Sequence, residues 1–262
     1  MNRITTESLS IAYEEQMIVE NLNLVIPTGQ ITSIIGPNGC GKSTILKTIG
    51  RIMKKKSGMV YLDGADIAKI STKEIAQKMA ILPQTPIAPS GLTVNELVSY
   101  GRFPHQKGFG KLTSKDKEII SWAIEVTKLT EYSTREIDNL SGGQRQRVWI
   151  AMALAQQTDL IFLDEPTTYL DMAHQLEVLE LLSELNKTQK CTIVMVLHDL
   201  NLASRFSDYI VAVNKGEIKA SGTPDKVITR ENLINVFQID ATIVKEPIHQ
   251  KPICLTYELI KE

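Results

Sequence analysis

The run Gly36-Pro37-Asn38-Gly39-Cys40-Gly41-Lys42-Ser43 constrains this chain more than any other feature. It fits G-x-x-x-x-G-K-[ST] and lies between an apolar run, Ile31 to Ile35, and a helix-prone stretch, Thr44 to Ile52. Glycines let backbone N–H groups curl around phosphate oxygens without Cβ clashes. A helix starting directly after them adds partial positive charge at the same place. Lys42 suits the β and γ phosphates of a nucleoside triphosphate, and Ser43 suits a Mg²⁺ ion bound with it. A strand that feeds a phosphate loop and then a helix requires α/β layering.

The rest of the chain agrees with that layering. Ile31 to Ile35, Leu160 to Leu163, Thr192 to Leu197 and Tyr209 to Val213 are continuously apolar, as strands buried on both faces are. Ser8 to Tyr13 and Asn21 to Ile26 alternate instead, which predicts antiparallel edge strands near the N-terminus. Ser71 with Glu74 and Thr93 with Glu96 have capping-box spacing, and Thr223-Pro224 marks another helix start. Strand signals vanish between Leu92 and about Gln156, where Ile119, Ile120, Ala123, Ile124 and Val126 form a helical stripe, so a helical insertion is expected there. From Ala241 onward short β-like pieces are interrupted by Pro247 and Pro252 and receive no assignment.

At 262 residues the chain is long enough for one large domain or two small ones. Its formal net charge of −1 excludes binding to nucleic acid through bulk positive charge. No apolar stretch is long enough to cross a bilayer, and Met1 to Glu7 lacks the charged-then-apolar pattern of a signal peptide. Cys40, Cys191 and Cys254 are widely spaced and suggest neither a disulfide framework nor a metal cluster, which fits a reducing compartment. Cys40 lies two residues before Lys42 and beside a helix start, a setting that favours thiolate and raised reactivity if the side chain is accessible.

Two further motifs carry chemistry. Leu160-Ile161-Phe162-Leu163 ends in Asp164-Glu165, and parallel sheets present ligands at the C-terminal ends of their strands. Asp164 is expected in the Mg²⁺ shell and Glu165 as general base or water positioner. Leu140-Ser141-Gly142-Gly143-Gln144 precedes a helix, Arg145 to Gln156, and forms a second anion cradle. One γ-phosphate does not need two cradles from one chain, so each is expected to serve a different copy.

With these motifs the sequence resembles the ATP-binding cassette ATPases over nearly its whole length. The resemblance implies a P-loop NTPase core, mostly parallel sheet flanked by helices, with an N-terminal antiparallel β subdomain and a helical insertion carrying the signature. The expected bounds within a single cassette domain are 1–91 and 157–240 for the core, 92–156 for the helical subdomain and 241–262 for a C-terminal extension. By the same resemblance Tyr13 stacks on adenine, the loop from Gly36 to Thr44 binds ATP, and Gln84 in Ile81-Leu82-Pro83-Gln84 joins Ser43 and Asp164 at Mg²⁺. Asp171 in Thr168-Tyr169-Leu170-Asp171 matches the D-loop aspartate, and His198 in Val196-Leu197-His198-Asp199 matches the switch histidine. Lys42, Glu165 and His198 are then the catalytic residues. Tyr169 is bulkier than the small residue common at its position. Two cassettes dimerise head to tail in this family, the P-loop of one and the signature of the other enclosing each ATP.

The segment Tyr100-Gly101-Arg102-Phe103-Pro104-His105-Gln106 and the Gly-Pro-Asn-Gly-Cys-Gly-Lys-Ser-Thr form of the phosphate loop are similar to importers of iron–siderophore, haem and cobalamin type. That implies a homodimer attached to integral-membrane permease subunits at the cytoplasmic face of the membrane. An extracytoplasmic substrate-binding protein would act upstream, and no nucleic acid is involved. Alternatives are a cassette of another importer or of an exporter, or a soluble cassette ATPase. A P-loop metabolite kinase leaves Leu140 to Gln144 unexplained. A GTPase would use Asn214-Lys215-Gly216-Glu217, but Lys215-Gly216 fits a turn between two strands better. A non-hydrolysing regulator would not need both Glu165 and His198. Lys54-Lys55-Lys56 follows the P-loop helix as a solvated charge run, and His105, His174 and His249 lack metal-ligand spacing.

Overall fold

The computed structural model describes residues 1–106 and 111–260. The chain forms two compact units, residues 1–70 together with 186–262, and residues 71–185.

The first unit opens with strands β1 (Asn2–Tyr13), β2 (Gln16–Leu22) and β3 (Val25–Pro27), followed by β4 (Ile31–Ile35), helix α1 (Lys42–Ile49), β5 (Ser57–Leu62) and β6 (Ala65–Asp66). β1 pairs antiparallel with β2, β3 and β5, giving the expected antiparallel sheet. Its first strand is longer than the alternation predicted, because the left-handed Ser8 (φ 45°) interrupts the pattern inside it. The expected strand Asn21 to Ile26 is split in two. The break falls at Asn23-Leu24, between β2 and β3, where the Leu24 N–H bonds the Thr6 hydroxyl at 2.8 Å. α1 starts two residues earlier than the sequence suggested and stops at Gly50.

The second unit contains α2 (Thr72–Lys78), β7 (Met79–Leu82), α3 (Val94–Ser99), α4 (Ser114–Val126), α5 (Gly142–Ala155), β8 (Leu160–Leu163) and all but the last turn of α6 (Met172–Gln189). β7 and β8 pair in parallel, Leu82 opposite Leu163. Ser71 caps α2, and Thr93 with Glu96 closes a capping box on α3 as the spacing predicted. Thr113 with Asp116 and Ser141 with Gln144 close two more, on α4 and α5. α3, α4 and α5 pack together, burying Val94, Leu97, Ile120, Ala123, Val148 and Ala151. Between Pro83 and Asp159 no strand occurs among the described residues.

The first unit resumes with β9 (Thr192–Val196), α7 (Leu200–Phe206), β10 (Tyr209–Asn214), β11 (Glu217–Gly222), α8 (Pro224–Val227), α9 (Arg230–Phe237), β12 (Ile239–Lys245) and β13 (Pro252–Leu259).

 

β4 lies between β10 and β9, parallel to both, and β11 closes one edge antiparallel to β10. Every residue of β4 and of β9 is buried, as expected, including the hydroxyl residues Thr32, Ser33 and Thr192. Lys215 (φ 49°) and Gly216 (φ 76°) form the two-residue turn between β10 and β11, with Asn214 opposite Glu217. Both positive φ values suit a hairpin turn, so this segment is a tight turn and not a guanine-reading loop. The unassigned C-terminal stretch is an antiparallel hairpin of β12 with β13, the latter spanning Pro252–Leu259. Pro252 begins its strand and Pro247 sits in the turn, the two places where proline costs no ladder bond. The hairpin is fastened to α7: Asn201 Nδ2 donates to the Cys254 carbonyl at 3.2 Å and Asn201 Oδ1 accepts the Cys254 N–H at 2.8 Å.

Candidate functional site

The phosphate loop belongs to the unit of residues 1–70 and 186–262. β4 ends at Gly36, whose φ is 154° and where an added Cβ would stand 2.1 Å from the Val213 carbonyl oxygen. Only glycine fits there. Gly41 (φ 103°) is the N-cap of α1 and supplies no capping side chain. The first-turn N–H groups of that helix therefore face the loop without a side-chain cap, which is the arrangement an anion needs. Lys42 is buried, 5% exposed, and its Nζ donates to the carbonyls of Gly36 at 3.0 Å and Pro37 at 2.9 Å. The loop thus bends around its own ammonium group. Asn38 and Gly39 are exposed at the tip, and Ser43 and Thr44 are half-buried on the first helical turn.

Cys40 corrects an expectation. Its side chain faces inward, 5% exposed, close to Gly36. Burial pushes the thiol up, and the opposing pull of Lys42 and of backbone N–H groups does not overcome it. A raised, buried thiol is slow to react, so proximity to Lys42 does not activate it.

His198 follows β9 as predicted and is exposed. Ile34 pairs with Val196, and the Leu197 N–H donates to the Ile34 carbonyl at 3.2 Å. Gly36 and His198 therefore leave adjacent parallel strands at the same level. Tyr13, at the tip of the β1–β2 hairpin opposite Gln16, is 67% exposed, which suits a stacking platform better than a core residue. The same hairpin backs the phosphate loop. Ile18 and Val19 of β2 would each lie 3.4 Å from a Cβ on Gly41, and a Cβ on Gly216 would meet the Ile18 carbonyl oxygen at 2.1 Å. The Gly216 N–H in turn donates to the Cys40 carbonyl at 3.0 Å.

The other predicted residues belong to the unit 71–185. The Asp164 N–H donates to the Leu82 carbonyl at 2.9 Å, so Gln84 and the Asp164-Glu165 pair emerge together from β7 and β8. Asp164 is 2% exposed. Glu165 takes φ 54°, which turns the chain sharply as the strand ends. Gln84 Nε2 donates to Glu165 Oε2 at 2.6 Å, and the Thr168 hydroxyl donates to the same oxygen at 3.0 Å. The amide nitrogen of Gln84 faces Glu165, so its oxygen points elsewhere.

At the signature, Leu140 is buried and Ser141 caps α5. The Ser141 hydroxyl accepts the Gln144 N–H at 3.3 Å, and Gln144 Oε1 accepts the Ser141 N–H at 3.0 Å. This capping box takes up the third N–H of the helix and leaves those of Gly142 and Gly143 as the donors at its start. Asp171 caps α6, accepting the His174 N–H at 2.9 Å. Tyr169 is 89% exposed at φ 66°.

Three features carry no signal in the sequence taken alone. Thr168 orients Glu165 from three residues further along, the reverse of the hydroxyl-first order of the capping boxes. His174 bonds Asp171 and lies against Gly143. Arg102, 4% exposed, pairs with the buried Asp116 at 2.8 Å and donates to the Ala155 carbonyl at 2.8 Å, the last residue of α5. His105 Nε2 lies 2.7 Å from the next carbonyl, Gln156. The segment Tyr100 to His105 is thus a 3₁₀ turn clamped to the end of the signature helix, with Phe103 exposed. Among the described residues no group of three or more His, Cys, Asp or Glu could hold a metal by itself, and no helix is long and apolar enough to cross a membrane.

Comparison with known proteins agrees with these motifs. The family model described as ABC transporter matches residues 19–168. The iron(3+)-hydroxamate import ATP-binding protein FhuC of Bacillus subtilis (strain 168) is 64% identical over 261 residues, covering 100% of this chain and 97% of that protein. The ferric enterobactin transport ATP-binding protein FepC of Escherichia coli (strain K12) is 43% identical over 251 residues, covering 96% of this chain and 93% of its own. Among solved structures, the dimeric post-hydrolysis state of the ATP-binding cassette MJ0796 bound to ADP and Pi superposes with a TM-score of 0.73 at 30% identity. It covers 84% of this chain and 98% of that one.

Proposed function

Because the chain belongs to the ABC transporter family, we propose that it is the ATP-hydrolysing subunit of an importer for iron–siderophore chelates, with hydroxamate chelates as the favoured cargo class. The observation that carries the hydrolytic half is Glu165, turned out of the end of β8 and aimed by Gln84 and Thr168. A carboxylate held from two sides has the fixed orientation that a base or water positioner requires. The cargo half is supported by relatives whose names specify iron(3+)-hydroxamate import, siderophore transport and ferric enterobactin transport.

In this reading ATP binds to Tyr13 and the Gly36 to Thr44 loop of one copy, and Lys42 neutralises the β and γ phosphates. The signature of a second copy, Leu140 to Gln144, closes over the γ-phosphate through the Gly142 and Gly143 N–H groups, with Asp171 beside it. Glu165 and His198 position the attacking water. The dimeric cassette with ADP and Pi supports the two-copy arrangement.

Ser43, Gln84 and Asp164 offer a hydroxyl, an amide oxygen and a carboxylate, all hard oxygen donors. With one carboxylate and no larger acidic cluster, this set fits Mg²⁺ completed by phosphate oxygens and water. Bound there, Mg²⁺ would neutralise charge developing on the transferred phosphoryl group. Permease subunits would hold the dimer at the cytoplasmic face of the membrane, with an extracytoplasmic binding protein delivering the chelate.

The test is uptake of radiolabelled iron by cells lacking this gene and complemented with wild type or Lys42→Ala. Ferric hydroxamate uptake should return with wild type alone. Restoration of haem or cobalamin uptake instead, or full uptake with Lys42→Ala, would overturn the reading.

A further inference from the structure

Within the unit 71–185 the second glycine of the signature lies under a histidine. A Cβ on Gly143 would stand 2.5 Å from Cδ2 and 2.9 Å from Cγ of His174. The imidazole therefore occupies the space that any other residue at 143 would need. The ring is also held at its other edge, where Nδ1 lies 2.8 Å from Asp171 Oδ1. The same oxygen accepts the His174 backbone N–H at 2.9 Å. These contacts hold the Asp171 carboxyl below the usual carboxylate range, the backbone N–H contributing most. An ionised carboxylate only accepts hydrogen bonds, so Nδ1 carries the proton and the tautomer is fixed.

One helical turn further along both helices, Arg147 lies 3.8 Å from Glu177. That pair is long and its acid is half exposed, so it contributes little stiffness. The imidazole is the short contact. It touches the two motifs that this chain would present to a partner copy, and the reaction scheme above gives it no role.

We propose that His174 is a positioning residue for ATP hydrolysis, bridging Asp171 and Gly143 so that the D-loop carboxylate and the signature cradle of one subunit move as one body. The proposal rests on the head-to-tail reading above and names the part that joins two of its motifs. His174 touches no reacting atom in this scheme. Its effect is to keep the Gly142 and Gly143 N–H groups in register with Asp171 as the dimer closes. Removing the ring leaves both motifs in place but uncoupled. Enlarging Gly143 drives the ring off Asp171 and uncouples them by another route.

The experiment uses the full chain carrying Glu165→Gln, with Mg-ATP, and reads the dimer dissociation constant by analytical ultracentrifugation. Gly143→Ala should weaken the dimer by on the order of tenfold and His174→Ala by a few-fold, since coupled contacts show interaction energies in that range. In the His174→Ala background, Gly143→Ala should add less than about twofold, because the clash is gone. His174→Asn keeps a donor on Asp171 without a ring over Gly143, and should match His174→Ala. That arm does not depend on the Gly143 variant folding. Binding of a fluorescent ATP analogue to the single subunit should be unchanged by His174→Ala, while kcat measured with Glu165 restored falls.

An equal cost of Gly143→Ala with and without the ring overturns the proposal. So does wild-type dimerisation by His174→Asn, which would show that only the bond to Asp171 counts. Failure of the Glu165→Gln parent to dimerise with Mg-ATP would remove the head-to-tail reading and this proposal with it. A dimerising parent with either of the first two results removes the proposal alone.

Discussion

The side-chain nitrogen of Gln84 donates to Glu165 Oε2 across 2.6 Å. Two parallel strands make that contact, because Leu82 is paired with Leu163 and each strand then releases its polar residues at the same level. The Gln84 amide offers its nitrogen to the carboxylate. In the proposed site its oxygen would serve Mg²⁺, so one side chain would link metal binding to the aim of the base.

Glu165→Gln keeps the shape of the side chain but cannot accept a proton. Hydrolysis should fall by about 10²-fold or more, the usual size of a lost general base. ATP binding should persist, and the chain should elute as a dimer on gel filtration with Mg-ATP. A monomer that still turns over near the wild-type rate would assign the role to another residue.

Gln84→Ala removes one donor on Glu165 and leaves Thr168. A hydrogen bond to a charged group contributes about 1.5–3 kcal/mol, so kcat should fall by on the order of tenfold if that bond holds the reactive orientation. Affinity of the single subunit for ATP without Mg²⁺ should not change. Phosphate release at saturating ATP checks this, and an undiminished kcat would make the 2.6 Å contact incidental.

Asp116 tests the clamp at the end of the signature helix. Its carboxyl is held down to about 2 from 3.8, first by the Thr113 hydroxyl and then by Arg102. A depressed folded-state value gives stability that is complete above the ordinary value. It is lost as the pH falls from about 4 towards about 2. Asp116→Ala leaves Arg102 buried without its counter-charge and should cost about 3 kcal/mol or more in urea unfolding. The variant should also lose less stability than wild type between those two pH values. Parallel acid profiles for the two proteins would deny Asp116 this role.

The chemistry of this chain was more legible than its supports. Gly36 to Ser43 declares itself because phosphate binding needs glycines, a lysine and a hydroxyl at fixed spacing, and β4 and β9 declare themselves because burial on both faces leaves no charged position and only small hydroxyl side chains among the apolar ones. Thr93 with Glu96 is local and equally plain. By contrast, the segment holding Arg102 stood out by resemblance alone, and nothing short of the fold reveals that Asp116 and the Ala155 carbonyl surround the guanidinium. His174 meets Gly143 through a contact between two helices, which periodicity cannot signal. The prolines of the C-terminal stretch suggested interruption, yet one opens a strand and the other makes the turn.

Cys40 should label slowly with maleimide. All three cysteines are buried, and burial pushes the Cys40 and Cys254 thiols up. Thiolate is the nucleophile, so a raised thiol and a closed approach act in the same direction. Brief labelling of the native chain should modify little, whereas denaturant should expose all three thiols. Peptide mapping decides it, and rapid loss of the Cys40 peptide that Mg-ATP prevents would show that the loop opens more than its packing implies.

The division of labour between copies can be tested by mixing two defective chains. Ser141→Arg places a bulky cation at the signature and also removes the hydroxyl that caps α5. That cap contributes about 1 kcal/mol, so the variant should unfold slightly earlier while ATP binding at its intact phosphate loop survives. Lys42→Ala keeps the signature but loses the ammonium group that the loop encloses. Neither chain alone should hydrolyse ATP at an appreciable rate. In a mixed dimer, Lys42 of the first chain faces Ser141 of the second, which rebuilds one complete site and leaves the other doubly damaged. An equimolar mixture should therefore regain part of the wild-type rate, in proportion to the mixed dimers formed. If cross-linking shows mixed dimers but phosphate release stays at the level of the separate variants, the two motifs do not meet across copies.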